Sequence, residues 1–346
     1  MKTPAAILTE LRAPLEFDEI EIPPLAVGQT LVRIHASRIC GSQIGEIDGV
    51  KGPDRWLPHL LGHEAGGVVE DVGPGVRHVK PGDHVVLHWR PSQGIQCAPP
   101  VYQRGSQRVN AGWITTFNHH SIVSENRLTK VSAETDQEIR CLMADTLTTG
   151  FGIVNRDAGV QLGESVVVIG AGGIGSGVIL GAHLAGANPV IAVDLFEHKL
   201  AHAAKLGATH VINSRDGVFE DRVREIVGAA GADVVIDGTG NPEIIARCYN
   251  LTKPKGRTVL FGVPHHTKDV TIHTLPLHFG RVLTGSEGGQ SVPHEDIPRY
   301  LELLKSRQVD LSGMVTHRGG LEDVNDLIGK MRSGEVIHAV MHYPAA

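Results

Sequence analysis

Aromatic residues are scarce. Phe, Trp and Tyr make up 4% of the 346 residues, which argues against the stacking platforms that bind single-stranded nucleic acid. An excess of positive charge is missing as well. The formal net charge is −6 and the isoelectric point is near 6.4, so the basic footprint of a nucleic-acid-binding protein is absent. Cysteine is rare, with four in the chain. That excludes a disulfide scaffold and fits reduced thiols in the cytoplasm, one of them available to a metal. The N-terminal MKTPAAILTE, with Arg12 and Glu16 soon after, lacks the long apolar region of a secretion signal. Asp, Glu, Lys and Arg are also missing from Ser165 to Val193, a stretch long enough to resemble a membrane span. Its seven glycines and Pro189 argue otherwise. The stretch divides into two β-branched runs, Val166–Ile169 and Val190–Val193, around a glycine cluster and a small-residue helix. Buried parallel strands read as such continuous apolar runs, so no membrane association is expected.

What is present points to two folded domains. Hydrophobic residues make up 41% and charged residues 20%, and glycine stands out with 42 positions and no three-residue period. Residues 1–150 hold short β-like runs (Thr30–His35, Ala65–Val72, His84–His88, Asn118–Val123) separated by Pro- and Gly-rich turns, the pattern of a small β-barrel domain. From 151 to 287 short apolar strands alternate with helical segments: Val166–Ile169, Val190–Val193, Val234–Ile236 and Thr258–Gly262. This α/β alternation predicts a doubly wound parallel sheet. Helices are expected around Ile297–Arg307 and Leu321–Met331. A last strand over Val336–His342 suggests that residues from about 288 to 346 complete the first domain.

The glycine cluster Gly170-Ala171-Gly172-Gly173-Ile174-Gly175 reads G-x-G-x-x-G, directly after a strand and opening a helix. The first glycine permits the tight turn, the second lets the backbone approach a pyrophosphate, and the third lets helix and strand pack closely. The helix N-terminus offers N–H groups and partial positive charge to the phosphates. Asp194 ends the next strand about 20 residues on, where a carboxylate accepts from ribose hydroxyls and repels a 2′-phosphate, favouring NAD over NADP. Asp194 is otherwise a strand-end or helix cap. Lys199 is either a second ribose contact or an ordinary solvated lysine.

Cys40 follows a β run, and His63 comes 23 residues later, beside Glu64. A thiolate and an imidazole are natural zinc ligands, although these residues lack local zinc-finger spacing and lone cysteines are usually core. The motifs around them resemble a known family. Gly62-His63-Glu64-Ala65-Gly66-Gly67, with Gly73 six residues on, is similar to the zinc signature of the medium-chain dehydrogenase/reductase family, which includes alcohol, polyol and threonine dehydrogenases. Cys40-Gly41-Ser42 resembles its first-ligand segment, and Asp145-Thr146-Leu147-Thr148-Thr149-Gly150-Phe151 its third-ligand segment in the Asp version. The resemblance runs in order along nearly the whole chain. It implies a GroES-like β-barrel catalytic domain, a Rossmann domain and a return to the first.

Position by position, the resemblance implies a catalytic zinc held by Cys40, His63 and Asp145. Glu64 would lie beside or transiently on the metal, and Ser42 would pass the substrate proton. Trp89 and Phe117 match substrate-pocket positions, with ordinary β-domain core as the alternative. Arg90, next to Trp89, would bind a phosphate, phosphonate or carboxylate, or face water. His338 falls where some members place an arginine on the pyrophosphate; the alternative is a surface strand histidine. A homodimer or homotetramer is also implied.

The chain departs from the family at three places. Only Cys97 occupies the Gln93–Gly112 region, where many members bind a structural zinc with four cysteines, so one zinc per chain is expected. Gly45 replaces the histidine that ends the proton relay in many relatives, which leaves solvent, the cofactor ribose or another histidine. Gln43 replaces an acidic residue. The activity these parts imply is NAD-dependent hydride transfer between a secondary alcohol and its ketone, the substrate being a polyol, sugar derivative, aminocyclitol or phosphorylated or phosphonate hydroxy compound. The rivals are a zinc-free NAD(P)H quinone or enoyl reductase on the same fold, and a non-catalytic protein that retains it.

Overall fold

The computed structural model describes residues 1–344. Two compact units divide the chain: Met1–Asp145 with the chain from Val292 onward, and Thr146–Ser291. The boundaries thus fall a few residues from the expected 150 and 287. The reason is packing. In the helix Thr146–Gly152, Gly150 lies so close to the backbone of Gly177 that a Cβ would sit 2.4 Å from its carbonyl carbon, which ties this helix to the second unit.

The first unit is built on two sheets. One closes into a barrel of Lys2–Leu8, Glu16–Glu21, Val101–Arg104, Gln107–Asn110 and His59–Leu60. The other has the long strand Gln29–Ile39 at its centre. Val32 and Ile34 alternate inward from that strand, and with Ile39, Leu87, Phe117, Val123, Val324 and Met341 fill the unit's interior. Burying such a face contributes roughly 1.5–3 kcal/mol for each large apolar side chain.

Register in this sheet decides what meets at its end. Ser37 pairs with Ala65, and Ala65 in turn with Leu87. The segments that leave these strands, Cys40, His63-Glu64 and Trp89, therefore emerge together. The C-terminal strand Ala339–His342 pairs antiparallel with the same central strand, Ala339 opposite Ile39. It is shorter than the expected Val336–His342, because Ile337 N–H donates to Thr316 Oγ1 and not to a ladder partner. The expected helix at 297–307 begins earlier, as Pro293–Ser306. The one at 321–331 is a 3₁₀ turn, Leu321–Asp323, followed by the helix Val324–Arg332.

The second unit carries six parallel strands: β1 (Val166–Ile169), β2 (Val190–Asp194), β3 (His210–Asn213), β4 (Ala232–Asp237), β5 (Thr252–Leu260) and β6 (Val282–Gly285). Their order in the sheet is β3-β2-β1-β4-β5-β6, the doubly wound Rossmann arrangement. The charge-free 165–193 stretch is thus strand, turn, helix and strand. No helix among the described residues is long and apolar enough to cross a membrane.

The lobe around Cys97 is held by a buried carboxylate. Glu125 is 1% exposed. Its Oε1 accepts from the backbone N–H of Arg77 at 2.6 Å and of His78 at 2.8 Å, and its Oε2 from that of Ile95 at 2.8 Å. Burial alone would raise its pKa, but the three N–H donors outweigh burial and hold it below the ordinary 4.5. A group with a depressed folded pKa stabilises the fold above its unfolded pKa and loses that contribution as pH falls through the folded value. Glu125→Gln puts an amide N–H₂ against a backbone N–H. It is expected to destabilise the protein by about 1.5–3 kcal/mol at neutral pH, with the deficit shrinking as pH falls well below 4.5. Urea midpoints of both proteins at neutral and acidic pH check this; equal midpoints at neutral pH would remove the role.

Candidate metal centre and cofactor turn

Cys40, His63, Glu64 and Asp145 converge at the end of the first unit's main sheet, with one ligand-type atom from each lying within 4.8 Å of the others. Local structure fixes each of them. Cys40 is the N-cap of the short helix Gly41–Ile47, and its N–H donates to Gln43 Oε1 at 2.8 Å. Asp145 ends the helix Gln137–Ala144, which starts on Asp136, a side chain accepting from Glu138 and Ile139 N–H. Asp145 Oδ2 lies 3.9 Å from Cys40 Sγ and 3.8 Å from His63 Nε2. Two ligands of one tetrahedral zinc lie roughly 3.5 Å apart, given bond lengths near 2.0–2.3 Å. His63 Nε2 is buried without a hydrogen-bond partner. Burial pushes the His63 pKa down, but Asp145, Cys40 and Glu64 together raise it well above the usual 6.5. An imidazole nitrogen with no hydrogen bond, set among a thiol and two carboxylates, is a donor set that fits zinc.

The atoms that face away from this cluster also have partners. His63 Nδ1 lies 2.5 Å from Gln43 Nε2, so the neutral carboxamide occupies the place where an acid was usual. Trp89 donates its indole N–H to Asp145 Oδ1 at 2.9 Å. Arg38, 2% exposed, donates from Nη1 to both oxygens of the fully buried Glu64, at 2.6 and 2.7 Å. Arg38 was not anticipated from the sequence, although a signal existed. It lies in the last four residues of the strand Gln29–Ile39, all of them buried, where an arginine needs a buried anion.

Two sequence expectations are corrected here. His338 does not reach for a pyrophosphate. It is completely buried, and its Nδ1 accepts from Arg38 Nε at 2.8 Å, so it supports the arginine that holds Glu64. Phe117 does not line a pocket. It is fully buried in the core cluster, its ring packed against Gly62. Trp89 and Arg90 are partly exposed, and the Arg90 guanidinium carbon is 5.6 Å from the centre of the Trp89 ring. Ser42, in the first turn after Cys40, is also partly exposed.

In the second unit the G-x-G-x-x-G run leaves β1 and opens the helix Gly173–Leu184, with Gly172 as its N-cap. A Cβ at Gly175 would lie 1.9 Å from the Gly170 carbonyl oxygen, so only glycine fits. A Cβ at Gly172 would meet no protein atom within 4 Å, which leaves the open approach a pyrophosphate requires. Ile174 sits in the first turn of this helix. Asp194 ends β2; its Oδ2 accepts from Ala171 N–H at 2.8 Å, and its Oδ1 from the N–H of Leu195 and Phe196. These bonds tie the acidic residue to the glycine turn. Lys199 Nζ is 4.8 Å from the Phe196 ring centre. The turn fits a dinucleotide of the NAD type.

Residues 26–133 match the model of the alcohol dehydrogenase GroES-like domain, and residues 173–306 that of the zinc-binding dehydrogenase. The chain is 31% identical to an S-(hydroxymethyl)glutathione dehydrogenase of Paracoccus denitrificans, over 99% of this chain and 100% of that one. It is 30% identical to a class-3 alcohol dehydrogenase of Cereibacter sphaeroides, with the same coverage. Among solved structures, an alcohol dehydrogenase zinc-binding domain protein from Burkholderia ambifaria superposes with a TM-score of 0.91 at 26% identity, over 100% of both chains. The benzyl alcohol dehydrogenase of Acinetobacter calcoaceticus superposes with a TM-score of 0.89 at 25% identity, over 99% of this chain and 100% of that one. With relatives of this similarity along its whole length, and with the donor cluster and glycine turn where such enzymes need them, the chain is an oxidoreductase of the zinc-dependent medium-chain dehydrogenase family.

Proposed function

We propose that this chain uses NAD to interconvert a polar secondary alcohol and its ketone at one zinc ion held by Cys40, His63 and Asp145. The observation that carries the reading is the convergence of those three donors with His63 Nε2 left without a hydrogen bond. Zinc at such a site supplies a Lewis acid that brings an alcohol's pKa toward neutrality, and NAD⁺ supplies the hydride acceptor. The chain's own residues do the rest. Cys40, His63 and Asp145 hold the metal. Ser42 Oγ takes the alcohol proton and, partly exposed and with Gly45 offering no next group, passes it to solvent. Glu64 stays beside the donors, bound to Arg38. The N–H groups of the glycine turn hold the pyrophosphate, and Asp194 and Lys199 the adenosine ribose. A zinc-free quinone or enoyl reductase would have no use for the three donors.

The substrate is proposed to carry a phosphate, phosphonate or carboxylate, as on a phosphorylated sugar derivative or polyol. Arg127 supports this. Its pKa is lowered first by burial and then by the like charge of Arg90, so an anion beside Arg90 relieves a repulsion already present. Four free cysteines fit a reducing compartment such as the cytoplasm. A homodimer or homotetramer is also proposed. β6 ends the parallel sheet, and Leu275, Phe279 and Val282 lie exposed on it or just before it. An apolar sheet edge of this kind is a template for a second copy.

Cys40→Ala and His63→Ala are each expected to lose both bound zinc and NAD⁺-dependent alcohol oxidation, as read by metal analysis and NADH absorbance. Retention of zinc and turnover in either would sink the assignment. Arg90→Ala is expected to lower kcat/KM for phosphorylated or carboxylated secondary alcohols roughly 10–100-fold, the worth of a charge-assisted hydrogen bond, and to leave neutral polyols little changed. A substrate panel with equal effects on both classes would remove the anionic specificity.

A further inference from the structure

We propose that Trp89 is a positioning residue for the metal, because its indole N–H fixes which oxygen of Asp145 faces the other two donors. The inference rests on the zinc reading above and goes beyond it. An aspartate side chain has two equivalent oxygens, and a turn about its last bond exchanges them. Asp145 also lies where one helix ends and the next begins, with backbone angles of φ −148° and ψ −53° that belong to neither. The bond from Trp89 Nε1 to Oδ1, at 2.9 Å, removes the equivalence. Oδ2 is the oxygen set 3.8 Å from His63 Nε2 and 3.9 Å from Cys40 Sγ.

The indole is itself held. Trp89 follows His84–Leu87, whose Leu87 pairs with Ala65. Arg127 Nη1 donates to the Trp89 carbonyl, and Arg90 stacks over the ring. On the far side of the loop, His88 Nδ1 donates to the Arg90 carbonyl and Nε2 accepts from Thr129 Oγ1, both at 2.9 Å. Burial keeps His88 neutral, with its pKa pushed down to about 3, so this support does not titrate in the working range. An indole N–H is a donor only and has no accessible ionisation, so the donor side of the bond to Asp145 does not titrate. Partners that orient metal ligands typically change metal affinity 10–100-fold when removed.

The test uses the zinc-loaded full chain. Trp89→Phe keeps an aromatic ring and loses the N–H. It is expected to release zinc to a competing chelator about 10–100-fold faster than wild type, and its cobalt-substituted form to show a shifted ligand-field spectrum. Ser92→Ala removes the bond to His294 from the same segment but keeps the indole N–H, and it is expected to release zinc like wild type. A measurement on the wild type needs no variant to fold. With its three tryptophans labelled with nitrogen-15, one indole N–H resonance should move when zinc is removed. Release from Trp89→Phe at the wild-type rate, equal acceleration in both variants, or three unmoved indole resonances would overturn the proposal. A wild-type protein that binds no zinc would instead overturn the site reading beneath it.

Discussion

Two carboxylates and a thiol are crowded into a dry place. Cys40, Glu64 and Asp145 are each at most 8% exposed and come together around one imidazole. Charges of one sign at such separations repel strongly where water is excluded, so the first unit must set cations among them. Arg38 is one such cation, and it is committed to both oxygens of Glu64. That commitment leaves the thiol, the imidazole and Asp145 as the group proposed to take a divalent ion. The strand register, the helix that begins at Cys40 and the helix that ends at Asp145 all serve to hold these groups together against their repulsion.

The two units solve related problems by the same device, which is to put chemistry where strands end. In the first, the pairing of Ser37 with Ala65 and of Ala65 with Leu87 brings three chain segments out together. In the second, β1 and β2 run parallel, so the glycine turn after one and Asp194 at the end of the other meet, joined by the Ala171 N–H. Neither site is assembled by loops alone. Each is aimed by a sheet whose register is fixed by a buried apolar face.

Much of this was readable from residue order. The strand–glycine–helix run and the acidic end of the next strand are local patterns, and they fold as such. The three donors were reached through three motifs spread over more than a hundred positions, not through spacing. What escaped were partnerships without local signature. Arg38 and His338 touch across 300 positions, and the reading of His338 failed because a sequence cannot say that a neighbour has already claimed the ring. Phe117 failed similarly, since pocket wall and core look alike until burial is known. Trp89 was identified for its ring, but the bond to Asp145 belongs to its N–H, a polar atom that aromatic character conceals.

The lobe around Cys97 carries a consequence for how this chain can vary. Where a lobe is tied by metal and thiolates, every tie is a particular side chain and none can change. Glu125 grips backbone N–H groups at Arg77, His78 and Ile95, and a main-chain amide is the same whatever residue supplies it, proline excepted. The anchor therefore reads the path of the chain and not its lettering. Arg77 and His78 are left free to drift while one carboxylate keeps the path of the chain.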